Sequence, residues 1–170
     1  MARWWPQEDR SPEALAADYF PRPQDDDDGD GDGDGDGDGG DPRTLAFLAV
    51  EDAAPFGFCQ SYRHADEPAW DRTISLPNVA GVDYLIGDAA RCGQGLGSRM
   101  IGAFCDVVFG LYPEVDGIAS VPQAANGASR KVLEHNGFRL VDVRMVESDD
   151  PGDAGPAAIY LLSRDRGRAG

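Results

Sequence analysis

The stretch DYLIGDAARCGQGLGSRM, Asp83 to Met100, carries an apolar run holding one acid through three glycines at alternate positions, Gly93, Gly95 and Gly97, straight into a helical pattern. Upstream, VAGVDYLIG has the alternation of a strand, with Asp83 and Leu85 on one face and Val82, Tyr84 and Ile86 on the other. Downstream, from Gln94 to Phe109, Leu96, Met100, Ile101, Phe104, Val107 and Val108 recur at helical spacing. A strand, a glycine turn and a helix place backbone N–H groups at the positive end of a helix dipole, where a phosphate or pyrophosphate binds. GQGLGS lacks the Gly-Lys-Ser/Thr of a Walker loop and the spacing GxGxxG. Taken alone, the turn reads equally well as a plain connection.

Working outward, TLAFLAVED and FGFCQSYRH read as two strands joined by DAAP, a hairpin over residues 44–64. DGIASV is a strand, and NGASRKVLEHNGF a helix with Asn126 as its cap and Gly137 as a left-handed stop. FRLVDVRMV and AAIYLLS complete the strands. SPEALAADYF reads as a short amphipathic helix capped by Ser11, with Pro12 at its first position. The order implies an α/β or α+β fold with one mixed sheet, in a single domain over residues 1–163. Residues 164–170 read as a disordered tail.

The chain has 170 residues and a formal charge of −16, with ten of its thirty-one acids between Asp25 and Asp41; without them the balance is 21 acids against 15 bases, or −6. DDDDGDGDGDGDGDGGD has no apolar side chain with which to repay its ordering entropy, so residues 24–42 are expected to be a disordered loop. It lacks the glutamate and the interleaved apolar residues of known calcium repeats. An acidic chain with no basic cluster disfavours nucleic acid and suits a cationic small molecule. Cys59, Cys92 and Cys105 show no CxxC spacing, and His64 and His135 no ligand spacing, so reduced thiols, no metal site and a cytoplasmic location are expected. No apolar run reaches the length of a membrane span.

The spacing Gly-x-Gly-x-Gly after an acid-bearing strand, followed by Asn126 and a helix ending in GF, resembles the GNAT acetyltransferase superfamily. Within it the chain looks most like the aminoglycoside 6'-N-acetyltransferases, through RWW (Arg3–Trp5), GFCQSY (Gly57–Tyr62), GVDYLIG (Gly81–Gly87), GQGLGS (Gly93–Ser98), PQAANGASRKVLEHNGF (Pro122–Phe138) and AIYLL (Ala158–Leu162). The likeness covers about residues 3–22 and 44–163. It implies a mostly antiparallel sheet flanked by helices, here beginning inside the family's first helical region and so without its first strand and helix. It implies acetyl-CoA as co-substrate, held by Gly93, Gln94, Gly95, Leu96, Gly97, Ser98 and Asn126, and an oxyanion met by a backbone N–H near Leu85 or Ile86. Siderophore-type N-acyltransferases share much of the pattern, and a non-catalytic CoA-binding domain is a further alternative. A monomer or a homodimer fits.

Acetyl transfer needs a neutral amine, so an ammonium must lose a proton. Asp83, in an otherwise apolar strand, is the candidate base, and in the resembled enzymes the matching Asp contacts the substrate amine; a local N–H or Arg partner is the alternative role. The resemblance places acids that bind cationic sugar rings at Asp66 and Glu67, in the loop before Trp70, where solvated loop acids are equally expected. Trp70, Trp4 and Trp5 wall the site or pack the core. Two departures stand out. The family's leaving-thiolate tyrosine falls on Leu133, with Ser129 one turn earlier, and the first position of the acetyl-CoA loop falls on Cys92, after Arg91.

Overall fold

The computed structural model describes residues 43–87, 89–148 and 154–164. Arg3–Trp5, the helix expected at residues 11–20 and the acidic run at 24–42 lie outside the described residues. β1 (Leu45–Glu51) and β2 (Ala54–Arg63) form the expected hairpin. Its turn is only Asp52 and Ala53, both at positive φ (52° and 63°), tighter than the four-residue DAAP connection expected. A turn with two left-handed residues matches the twist of the strands it joins.

After β2, a single 3-10 turn, His64–Asp66, leads into α1 (Pro68–Ile74). The sequence pattern placed no helix between the second and third strands. Pro68 opens it, where a missing N–H costs nothing, and Ser75 closes it in the left-handed region at φ 57°. β3 (Val79–Ile86) then enters the glycine turn, and α2 (Leu96–Leu111) follows. β4 (Gly117–Ser120), α3 (Gly127–His135), β5 (Arg139–Val146) and β6 (Gly155–Ser163) complete the chain. Asn126 caps α3 by accepting the Ser129 N–H at 3.1 Å, and Gly137 follows the helix at φ 82°.

The six strands form one sheet in the order β1-β2-β3-β4-β6-β5, antiparallel except for β3 with β4. Leu96, Ile101, Phe104 and Val108 of α2 and Leu133 of α3 are buried; all but Leu96 join the core with Val82, Ile118 and Tyr160, on one face of the sheet. Strand alternation puts Asp83 and Leu85 on the opposite face, where Leu85 packs with Phe58 and where Ile74 of α1 meets Val146, Ala157 and Ile159. Tyr84 and Ile86 pack against the α2 side, as the alternation in the sequence requires.

Arg164, expected in the disordered tail, is instead held at the C-terminus of α2. Its guanidinium donates to the carbonyls of Tyr112 (2.6 Å), Val115 (2.7 Å) and Phe109 (3.3 Å) and lies 4.6 Å from the centre of the Phe109 ring. A cation there satisfies carbonyls left over at the negative end of the helix.

Candidate active site

β3 and β4 pair only over Val79–Gly81 with Gly117–Ala119. Beyond that point β3 stays with β2 as far as Ile86, while β4 stays with β6. The two strands part, and a cleft of about 840 Å³ opens between them, within the range of small-molecule sites. Asp83, Tyr84, Leu85 and Ile86 line one wall, Ser120 to Gln123 the other, and Asn126, Ala128, Ser129, Lys131, Val132 and His135 line it from α3 and its cap.

Which backbone groups of β3 face the cleft follows from its register. The Gly87 N–H donates to the Phe56 carbonyl at 2.9 Å, and bonded pairs alternate along an antiparallel ladder. Leu85 and Asp83 therefore turn their backbone groups toward β2, and Tyr84 and Ile86 turn theirs toward the cleft. Of the two amides expected near an oxyanion, the Leu85 N–H points away, although the residue still lines the cleft.

The glycine turn closes one end. Gly93 and Gly95 both have φ 77°, with nothing among the described residues within 4 Å of where a Cβ would stand, so the requirement there is conformational. Gly95 is the N-cap of α2, with no side-chain cap and no acid in the first turn. Its carbonyl accepts the Arg99 N–H at 3.2 Å, so the amides of Leu96, Gly97 and Ser98 have no acceptor within the helix. A Cβ on Gly97 would stand 3.3 Å from Val132 Cγ2 and 3.6 Å from Ile86 Cδ1, so glycine lets α2 and α3 approach. Of these residues Gly97 and Ser98 line the cleft alongside Lys131 and His135, and their amides suit the pyrophosphate of coenzyme A.

Gly93, Gly95, Gly97, Ser98 and Asn126 come together around the cleft as expected. Gln94 and Leu96 do not line it: the Gln94 amide donates to the Ala90 carbonyl at 2.9 Å, and Leu96 is buried. Arg91 and Arg99 both pair with Glu51 of the β1–β2 hairpin, Arg99 at 3.2 Å, and Arg91 lies over the Phe56 ring. Cys92, in the family's first loop position, lines the cleft.

On the opposite face of the sheet, the Asp83 Oδ2 accepts a hydrogen bond from Gln60 Nε2 at 3.0 Å, across the β2–β3 register that pairs the two residues. Sequence reasoning missed Gln60, because the link appears only once the register is known. Asp66 and Glu67 lie off the cleft lining. Arg63 grips the Asp66 carboxylate at 2.7 and 2.9 Å, and Arg43 stands 3.5 Å from Glu67. Trp70, in α1, packs against the small cluster around Ile74 and Ile159.

Cys59 and Cys105 lie in the core, where burial pushes both thiols up to about 12, so they stay protonated. Burial also raises the Tyr84 hydroxyl well above its usual range. Leu133, at the position of the family's tyrosine, is fully buried and fills the core.

Residues 37–145 match the family description Acetyltransferase (GNAT) domain. The chain belongs to the GNAT acetyltransferase family. Among other GNAT proteins it is 30% identical over 93 residues to the aminoglycoside N(6')-acetyltransferase type 1 of Klebsiella pneumoniae, a match covering 54% of this chain and 46% of that one. It is 30% identical over 69 residues to a kanamycin resistance protein of Rhizobium radiobacter, covering 41% and 63%. The chain thus spans about half to two thirds of the curated relatives it matches. Among solved structures, the aminoglycoside acetyltransferase AAC(6')-Ib in complex with coenzyme A has a TM-score of 0.62 at 26% identity, over 72% of this chain and 68% of that one. The same enzyme with ribostamycin and coenzyme A also gives 0.62, over 72% and 65%. Among the described residues of this GNAT domain, no helix is long and apolar enough to cross a membrane.

Proposed function

We propose that this GNAT domain transfers the acetyl group of acetyl-CoA to a primary amine of a cationic small molecule, the 6'-amine of an aminoglycoside being the acceptor. The observation that carries the reading is the parting of β3 from β4 beside the amide cradle of α2, with Asp83 on the same wall. Similarity to structures that hold coenzyme A and ribostamycin supports both the co-substrate and the acceptor class. The protein works in the cytoplasm.

Acetyl-CoA, when bound, supplies an activated acyl carbon. The amides of Gly97 and Ser98 hold its pyrophosphate, and Asn126 lies along its arm. Asp83, oriented by Gln60, takes a proton from the acceptor ammonium and leaves a neutral amine. The Ile86 or Tyr84 N–H, turned into the cleft, meets the negative charge that develops on the carbonyl oxygen. Asp66 and Glu67, which pair with Arg63 and Arg43 off the cleft lining, are given no contact with the acceptor. The test is release of CoA thiol with a panel comprising an aminoglycoside bearing a 6'-amine, one bearing a 6'-hydroxyl, and N6-hydroxylysine. Turnover confined to the 6'-amine supports the reading, turnover of hydroxylysine replaces it with siderophore-type acylation, and silence across the panel with acetyl-CoA bound leaves a non-catalytic domain.

A further inference from the structure

When the acyl carbon leaves sulfur, the electron pair of the C–S bond stays on sulfur, and a thiolate appears inside the cleft. A thiolate in an apolar cleft is desolvated and benefits from a hydroxyl donor. The position of the family's tyrosine holds Leu133, which has no proton to give and is fully buried in the core. A different pair of hydroxyls lies in the cleft. Tyr84 comes from β3 and Ser129 from the first turn of α3; the Tyr84 oxygen lies 2.7 Å from Ser129 Oγ and 3.2 Å from the Ser129 carbonyl oxygen. Both residues line the cleft, and their contact bridges its two sides where β3 faces α3.

We propose that Tyr84 is the proton donor to the departing CoA thiolate, with Ser129 as the positioning residue that holds its hydroxyl. This rests on the acetyl-transfer reading above. The C–S bond breaks with its electrons on sulfur, the Tyr84 O–H proton passes to sulfur, and the Ser129 O–H turns to donate to the phenolate oxygen left behind. Of the two protons the ammonium sheds on becoming an amide, one leaves through Asp83 to solvent and the other replaces the one Tyr84 gave up.

The surroundings of the ring act on that step in both directions. Burial keeps the hydroxyl protonated, while the hydrogen bond with Ser129 acts in the opposite sense and favours the phenolate. The other titratable groups bearing on it are Cys59 and Cys105, both kept as thiols by burial, and Asp83, whose negative charge also favours the protonated hydroxyl. Tyr84 therefore keeps its proton throughout the neutral range, and the Ser129 hydrogen bond lowers the cost of passing it to sulfur.

Tyr84→Phe keeps the ring and removes only the hydroxyl. With acetyl-CoA and a reacting amine, kcat should fall about 10²-fold while KM for acetyl-CoA stays within about twofold. Ser129→Ala, which leaves the Ser129 carbonyl as an acceptor for Tyr84, should cost about tenfold in kcat. A purely structural pair would instead lower Tm or raise KM. A second readout needs no acceptor: calorimetric affinities for CoA and for desulfo-CoA at about pH 7 and pH 9. In the wild type, the hydroxyl stabilises the thiolate, so CoA should gain on desulfo-CoA as pH rises, by about tenfold more than in Tyr84→Phe. Equal gains in the two proteins, or unchanged kcat in Tyr84→Phe, would overturn the assignment. A wild type that binds CoA but turns over no amine would sink the acetyl-transfer reading, while the comparison with desulfo-CoA would still decide whether Tyr84 donates to sulfur.

Discussion

His64 makes the stability of the fold dependent on pH. It opens the turn that carries Asp66, is 1% exposed, stacks on Tyr62 with ring centres 5.8 Å apart, and has no hydrogen-bond partner on either ring nitrogen among the described residues. Burial pushes it down to about 4, opposed by the charge of Asp71. In the unfolded chain it titrates near about 6.5. Between these values the unfolded state binds a proton that the folded state refuses, so stability is full above about pH 6.5 and declines as pH falls toward 4. The loss attributable to His64 is about 2 kcal/mol at pH 5 and about 3 kcal/mol when complete. His64→Phe keeps a stacking ring and removes the titration. Urea unfolding of both proteins at about pH 7.5 and pH 5 isolates the difference, because every other ionisable group is shared. The wild type should lose about 2 kcal/mol more than the variant between the two conditions. Equal losses would mean that His64 is solvated or paired in solution, and would refute the argument.

Four further outcomes are expected. Asp83→Asn should lower kcat by about 10²- to 10⁴-fold, with acetyl-CoA affinity by calorimetry unchanged; equal turnover would remove Asp83 as the base. Gly95→Ala forces a left-handed position on a residue with a Cβ and should cost about 1 kcal/mol of stability and about tenfold in acetyl-CoA affinity. Gly110→Ala, within α2 and with open space around the added carbon, should instead gain up to about 1 kcal/mol and leave affinity unchanged, both read by urea unfolding and calorimetry. Leu133→Ala should cost about 2–5 kcal/mol in urea unfolding, because the side chain is fully buried in the core; a loss below about 1 kcal/mol would show that the site is not packed.

The parts of the fold legible in the sequence are those whose signals are local. Alternation placed Asp83 and Tyr84 on opposite faces of β3, helical spacing marked α2, and Asn126 and Gly137 marked the ends of α3. α1 was missed because seven residues are too few for a periodic pattern, although Pro68 at its first position was a usable sign. The two-residue turn at Asp52 and Ala53 uses left-handed conformations without glycine or asparagine, so composition did not announce it. Gln60 beside Asp83, the opposed directions of the Leu85 and Ile86 amides, and Tyr84 against Ser129 all depend on register or on packing between distant segments. A single strand's pattern carries no information about its neighbour's register. His64 gave no warning of its burial, because Arg63, Asp66 and Glu67 around it are charged.

The most direct test is a single-turnover reaction of the protein with isotopically labelled acetyl-CoA and an aminoglycoside bearing a free 6'-amine, with the product mapped by NMR. Label recovered on the 6'-nitrogen, with one CoA thiol released per acetyl group, is the expected result. Label that stays on CoA, or appears only as free acetate, would contradict the account.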